Sequence, residues 1–104
     1  MENVSEKSEQ FGLKPHILAS IIEFAKIHNI DRLTLFGSRA RGDFKERSDI
    51  DLAAKGGNIR DFRFDLDEKA PTLLSFDVVN LDDTNNEKLL ENIEREGKVI
   101  YAKV

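Results

Sequence analysis

Residues Ser48-Asp49-Ile50-Asp51-Leu52 set two carboxylates into a short run that alternates polar and apolar, and nothing else in the chain constrains it as tightly. Alternation of this kind is the period of a β-strand. Side chains two apart on a strand share a face, so Asp49 and Asp51 project together, roughly 6–7 Å apart at the backbone. Ile50 and Leu52 then point the opposite way, into a core. Two like charges side by side repel. Such a pair is costly unless a cation or solvent sits between its members, and a hard divalent ion such as magnesium suits carboxylate oxygens.

Before this run the chain reads Leu35-Phe36-Gly37-Ser38-Arg39-Ala40-Arg41-Gly42, with ten residues between Ser38 and Asp49. Arg32 to Phe36 is a predicted strand that closes at Gly37-Ser38, and the charged stretch 39–48 is predicted to hold a short helical turn and a loop. For Gly37-Ser38 to meet Asp49, the two strands must be adjacent and antiparallel, and a ten-residue connection suffices. Gly37 lets the backbone come close to a phosphate, and the Ser38 hydroxyl can donate to it. Free amides of the following helical turn, with Arg39 and Arg41, complete an anion cradle beside the metal-seeking carboxylates. A metal–nucleotide complex requires that juxtaposition. At average residue usage, a Gly-Ser pair with Asp-x-Asp at this spacing arises by chance in roughly one per thousand chains of this length, so the motif is specific.

Asp77 supplies a third carboxylate. It stands between Phe76 and Val78 in a predicted strand from Leu73 to Leu81, where an acidic residue needs a reason. Three carboxylates can hold two magnesium ions, one at the attacking oxygen and one at the triphosphate and leaving pyrophosphate. Asp77 is placed to serve the nucleophile side and to accept its proton.

The remaining elements follow from periodicity. Pro15 opens a helix in which Ile17, Leu18, Ile21, Ile22 and Ala25 recur at helical spacing to about His28, with Asn29 as its stop. Asn58 caps a helix carrying Ile59, Phe62 and Leu66 on one face, ended by Pro71. Asn85 or Asn86 caps a last helix with Leu89, Leu90 and Ile93, stopped by Gly97, and Val99-Ile100-Tyr101 forms a final strand. The expected class is α/β in the α+β sense, a small mixed sheet with flanking helices. Residues 1–13 are read as a flexible N-terminal segment and 14–104 as the domain. His16 and His28 are read as surface residues.

With 104 residues there is room for one core but little for a deep private cavity, so the site is expected to be an open cleft completed by a partner. The absence of cysteine excludes disulfides and thiolate metal sites. No apolar run approaches a membrane span and the start lacks a signal-peptide core, which makes a cytoplasmic protein the expectation. A net charge of −4 argues against stable nucleic-acid binding.

Gly37-Ser38 followed by Asp49-x-Asp51 resembles the signature of the DNA polymerase beta-type nucleotidyltransferase superfamily. The fuller string GSRARGDFKERSDIDL resembles its smallest branch, the minimal nucleotidyltransferase (MNT) domains, over about residues 15–102. By motif position, Gly37 and Ser38 correspond to the nucleotide-holding turn, Asp49 and Asp51 to the paired metal ligands, and Asp77 to the third carboxylate. Short members of that branch often act as antitoxins paired with a HEPN-domain ribonuclease toxin encoded next door. The resemblance implies Mg²⁺-dependent transfer of AMP from ATP to a tyrosine hydroxyl of the toxin, within a hetero-oligomer. Two other readings stay open at this point: a contact-only antitoxin that binds and blocks without turnover, and nucleotidyl transfer to a small molecule.

Overall fold

A computed structural model describes residues 8–104. The elements run α1 (Pro15–Ile27), β1 (Arg32–Phe36), α2 (Gly37–Arg41), β2 (Ile50–Lys55), α3 (Ile59–Lys69), β3 (Phe76–Asn80), α4 (Glu87–Glu96) and β4 (Lys98–Ala102). The strands form one mixed sheet in the order β3-β2-β1-β4. β1 pairs antiparallel with both β2 and β4, and β2 pairs parallel with β3. This is the α+β arrangement that the alternation of helical and strand periods predicts.

The two faces of the sheet are covered unequally. Ile50, Leu52 and Ala54 of β2 join Leu33, Leu35 and Ile100 in the main core, which α1 closes with Ile17, Leu18 and Ile21 and α3 with Phe62 and Leu66. Phe36 and Ala53 lie in a smaller cluster with Ile93 of α4, flanked by Val79, Leu81 and Leu89. Asp51 lies between Leu52 and Ile50 in sequence and so shares the thinly covered face with Ala53. The end of that face bearing the carboxylates is left open.

Local signals end the elements where the sequence places them. Asn29 adopts the left-handed conformation, with φ of 56°, after α1. The Asn58 side chain accepts from the amide of Asp61, and the Asn86 side chain from that of Leu89, so Asn86 and not Asn85 is the cap of α4. The third strand is shorter than expected. It begins at Phe76, because residues 70–75 form a connection in which the Thr72 hydroxyl takes the Leu74 amide and Leu73 stands fully in solvent.

Residues 1–7 of the expected flexible segment lie outside the described residues. Beyond them the chain is packed earlier than residue 14: residues 8–10 are helical, and Phe11 and Leu13 are only 3% and 4% exposed. A polar-looking stretch therefore carries two core side chains.

His28 also departs from its surface reading. Its Nε2 lies 2.6 Å from Oδ2 of Asp65, tying the end of α1 to α3, and Lys69 stands 3.3 Å from the other oxygen of the same carboxylate. The hydrogen bond from His28 holds the Asp65 carboxyl below the ordinary aspartate range, with Lys69 adding to it. A depressed folded-state pKa stabilises the fold above the unfolded value of about 3.9 and withdraws that contribution as pH falls through the folded value. Asp65→Asn is therefore expected to flatten the acid limb of the stability–pH profile below about pH 4, read by urea titrations at successive pH values.

Candidate active site

Strand register assembles the site. Phe36, the last residue of β1, is the cross-strand partner of Asp51, so the chain leaves β1 at Gly37 directly beside the Asp51 carboxylate. Asp51 is in turn the register partner of Asp77 on the parallel strand β3. Asp49 precedes β2 by one residue and falls on the same face by the strand pleat. Asp49 and Asp77 are exposed and Asp51 is half-buried. Gly37 has φ of 75°, and a Cβ there would run into the carboxylate of Asp51. Only glycine allows the turn both its conformation and its approach.

The carboxylates are electrostatically uncompensated. Burial is the main cause that raises Asp51 above the ordinary carboxylate range, and the charges of Asp77 and Asp49 add to it. Arg41 and Arg39 oppose the shift without cancelling it. None of the three carboxylates accepts a hydrogen bond or enters an ion pair among the described residues. Nor, among those residues, are three acidic or imidazole side chains drawn together around one point. The result is an open carboxylate face, not a closed cage. Its donor set, acceptor-only hard oxygens that repel one another, fits divalent magnesium.

The two arginines expected at a phosphate are placed differently from one another. Arg39 is 1% exposed and spends its guanidinium on the fold. Nη1 donates to the carbonyls of Phe11 and Gly12, each at 3.0 Å. Nη2 donates to Glu46 at 3.2 Å and Ser48 at 2.9 Å, and Nε also reaches Ser48, at 3.1 Å. The ring of Phe44 lies 5.1 Å from its central carbon. Burial pulls the Arg39 pKa below its usual value, and the charge of Asp51 pushes it back. With every nitrogen engaged, Arg39 braces the loop that delivers Asp49. Arg41 is freer. It pairs with Asp43 at 3.2 Å and Glu96 at 3.0 Å, and its side chain is 42% exposed. Ser38 is half-buried at the start of α2, and its carbonyl accepts the amides of Gly42 and Asp43, closing the short helix on a left-handed glycine.

Sequence reasoning missed the partners of Arg39 because they lie in two distant segments. The Phe11-Gly12-Leu13 triplet, apolar on both sides of a glycine, was the signal that the N-terminal stretch is packed.

Residues 19–104 match the family described as polymerase beta, nucleotidyltransferase. A protein of Methanocaldococcus jannaschii named as a putative protein adenylyltransferase is 37% identical over 81 residues, covering 69% of this chain and 79% of the relative. Among solved structures, a toxin–antitoxin complex with AMP-PNP superposes with a TM-score of 0.65 at 24% identity, over 83% of this chain and 73% of that one. A complex of the tri-AMPylated HEPN toxin of Shewanella oneidensis with its MNT antitoxin gives a TM-score of 0.57 at 22% identity, over 84% and 71%. At those identities the two complexes speak to the fold alone, whereas the family match spans most of the chain and includes the Gly37-Ser38 and Asp49-x-Asp51 signature. This chain belongs to the polymerase beta nucleotidyltransferase family.

Proposed function

We propose that the protein is an antitoxin-type nucleotidyltransferase that moves AMP from ATP onto a hydroxyl of a partner HEPN toxin, tyrosine by the resemblance, and so silences it. One observation carries the reading: Asp51 and Asp77 face each other in register with Asp49 beside them, unpaired, against a glycine turn that only a missing Cβ permits. A contact-only binder has no need of three mutually repelling carboxylates. The relative named as a protein adenylyltransferase supports a protein acceptor, and the two toxin–antitoxin complexes share the fold.

Asp49, Asp51 and Asp77 would hold two magnesium ions. Magnesium there would lower the pKa of the attacking hydroxyl and neutralise charge on the triphosphate. The Gly37-Ser38 turn receives phosphate oxygens through its amides and the Ser38 hydroxyl, and Arg41 is within the electrostatic reach of the acidic centre to add charge. Asp77 orients the acceptor hydroxyl and takes its proton. The acceptor oxygen bonds to the α-phosphorus as the bond to pyrophosphate breaks, and pyrophosphate departs with that electron pair. Among the described residues no helix is long and apolar enough to cross a membrane.

Intact-mass spectrometry of the adjacent gene product, incubated with this protein, ATP and Mg²⁺, tests the reading. The expected result is a gain of one or more AMP units that disappears in the Asp49→Ala/Asp51→Ala variant and with EDTA. A stable complex with no mass gain would replace it with the contact-only antitoxin.

A further inference from the structure

The arginine that adds charge beside the carboxylates is held by a residue far outside the motif. On α2, Arg41 follows Gly37 by four residues, and positions four apart share a helix face. The Gly37 face is the one turned to Asp51, because a Cβ on Gly37 would strike that carboxylate. Helical side chains also lean back over the preceding turn. Arg41 therefore leaves α2 on the side of the acidic centre and leans toward the Gly37-Ser38 turn, and its charge is felt at Asp51.

Two carboxylates fix where the guanidinium points. Asp43 accepts from Nε at 3.2 Å and Glu96 from Nη1 at 3.0 Å, whereas Nη2 donates to nothing among the described residues. Asp43 is two residues away and mostly exposed, so it travels with the same turn. Glu96 is independent of it. It ends α4, which packs against α2 and β1. Ile93 is buried with Phe36 and Ala53 and pins α4 to the sheet face that carries Asp51. Three residues on, Glu96 lies on the same side of the helix, its side chain only 22% exposed. Arg95 approaches its other oxygen at 3.5 Å, which leaves Oε2 to Arg41. A partly exposed pair of this kind adds little to stability, about 0–1 kcal/mol. Its consequence is geometric: a rigid planar fork held at two nitrogens keeps a single orientation with one free edge.

We propose that Glu96 is a positioning residue for the nucleotide, holding Arg41 so that Nη2 meets an oxygen of the triphosphate at the Gly37-Ser38 turn. The inference rests on the nucleotidyltransferase reading of the carboxylates. Without Glu96 the arginine keeps its charge but swings on a flexible stem, and ordering that stem then opposes binding.

Titration of the full chain with AMP-PNP and Mg²⁺ tests this in wild type, Glu96→Ala, Glu96→Gln, Arg41→Met and the Arg41→Met/Glu96→Ala double variant. Glu96 stands at a helix end, so folding is expected to survive, and melting temperatures verify it. Glu96→Ala should weaken AMP-PNP about fivefold, and Glu96→Gln, which keeps an acceptor oxygen, about twofold or less. In the Arg41→Met background Glu96→Ala should add nothing, since a residue that works through Arg41 has nothing left to aim. An unchanged Kd in Glu96→Ala overturns the inference. So does a tighter one, which would mean that Glu96 withholds Arg41 from the nucleotide. A full fivefold loss in the Arg41→Met background also overturns it and makes Glu96 a prop for α4. The two readings fail separately. A wild type that binds AMP-PNP but transfers no AMP removes the catalytic reading and leaves the mutant cycle to decide on Glu96. Transfer with a flat cycle removes the role of Glu96 alone, and a wild type that binds no AMP-PNP removes both.

Discussion

Asp51→Asn is expected to lower nucleotidyl transfer by on the order of 10³-fold or more while making the metal-free protein more stable. Both effects come from one environment. Asp51 is half-buried, faces Asp77 across the β2–β3 ladder and sits beside Asp49. Burial and these two charges raise its pKa. A carboxyl with a raised folded-state pKa binds its proton more tightly in the fold than in the unfolded chain. Stability therefore falls as pH rises from the unfolded value of about 3.9 through the folded one, and the ionised group burdens the fold at neutral pH. Asparagine keeps the shape and removes the charge. Discounted for solvent screening, the relief is on the order of 1 kcal/mol or less, a melting temperature about 2–5 °C higher in EDTA.

Magnesium should reverse the ranking. An ion that binds the folded state alone stabilises it by mass action, so millimolar Mg²⁺ should raise the melting temperature of the wild type and leave Asp51→Asn nearly unmoved. Thermal melts of both proteins with and without Mg²⁺, alongside the transfer assay, check the pair of effects together. A variant that is inactive yet less stable than wild type without metal would mean that Asp51 serves the fold and not a cation. Gain of stability on removing a group is the expected mark of a residue kept for chemistry.

The acidic centre was legible because it rests on short-range rules. A two-residue period puts Asp49 and Asp51 on one face, and a ten-residue connection brings β1 and β2 together antiparallel, as the Phe36–Asp51 pairing bears out. Asp77 was legible through its apolar neighbours, because Val78 is buried and its flanking acid must then face the other way. The caps at Asn58 and Asn86 follow from local side-chain geometry. Long-range contacts were not legible. Nothing near Thr72 or Leu73 tells a strand from a connection, since β-propensity describes side chains without saying whether a partner strand reaches them. The same gap hid the role of His28, whose partner Asp65 is 37 residues away. It also hid Phe11 and Leu13, which are buried in the main core among residues far along the chain.

Arg39→Met separates a phosphate-binding role for Arg39 from a structural one, and it should do so with a large loss of stability. The guanidinium serves carbonyls in two distant segments, residues 11–12 and residues 46–48, and ties one to the other. Methionine fills part of the volume but donates nothing, leaving four carbonyls to find water or go unpaired. Hydrogen bonds to a charged group contribute about 1.5–3 kcal/mol each, and the losses are not additive because the loops can open. A total of roughly 3–5 kcal/mol is expected, a large share of the ~5–15 kcal/mol that holds a typical domain. Lysine should rescue little, because an ammonium on a flexible stem cannot span carbonyls that a planar fork meets in one plane. Urea denaturation measures the loss, and AMP-PNP titration without denaturant, at a temperature where the variant is folded, measures the second quantity. If Arg39 braces the Asp49 loop, the folded fraction retains nucleotide affinity within a few-fold while kcat falls, because the carboxylates are no longer held in register with the turn. If stability is unchanged and AMP-PNP affinity collapses instead, the guanidinium swings out to the phosphates, and the bracing role passes to the Phe44 ring that now covers it.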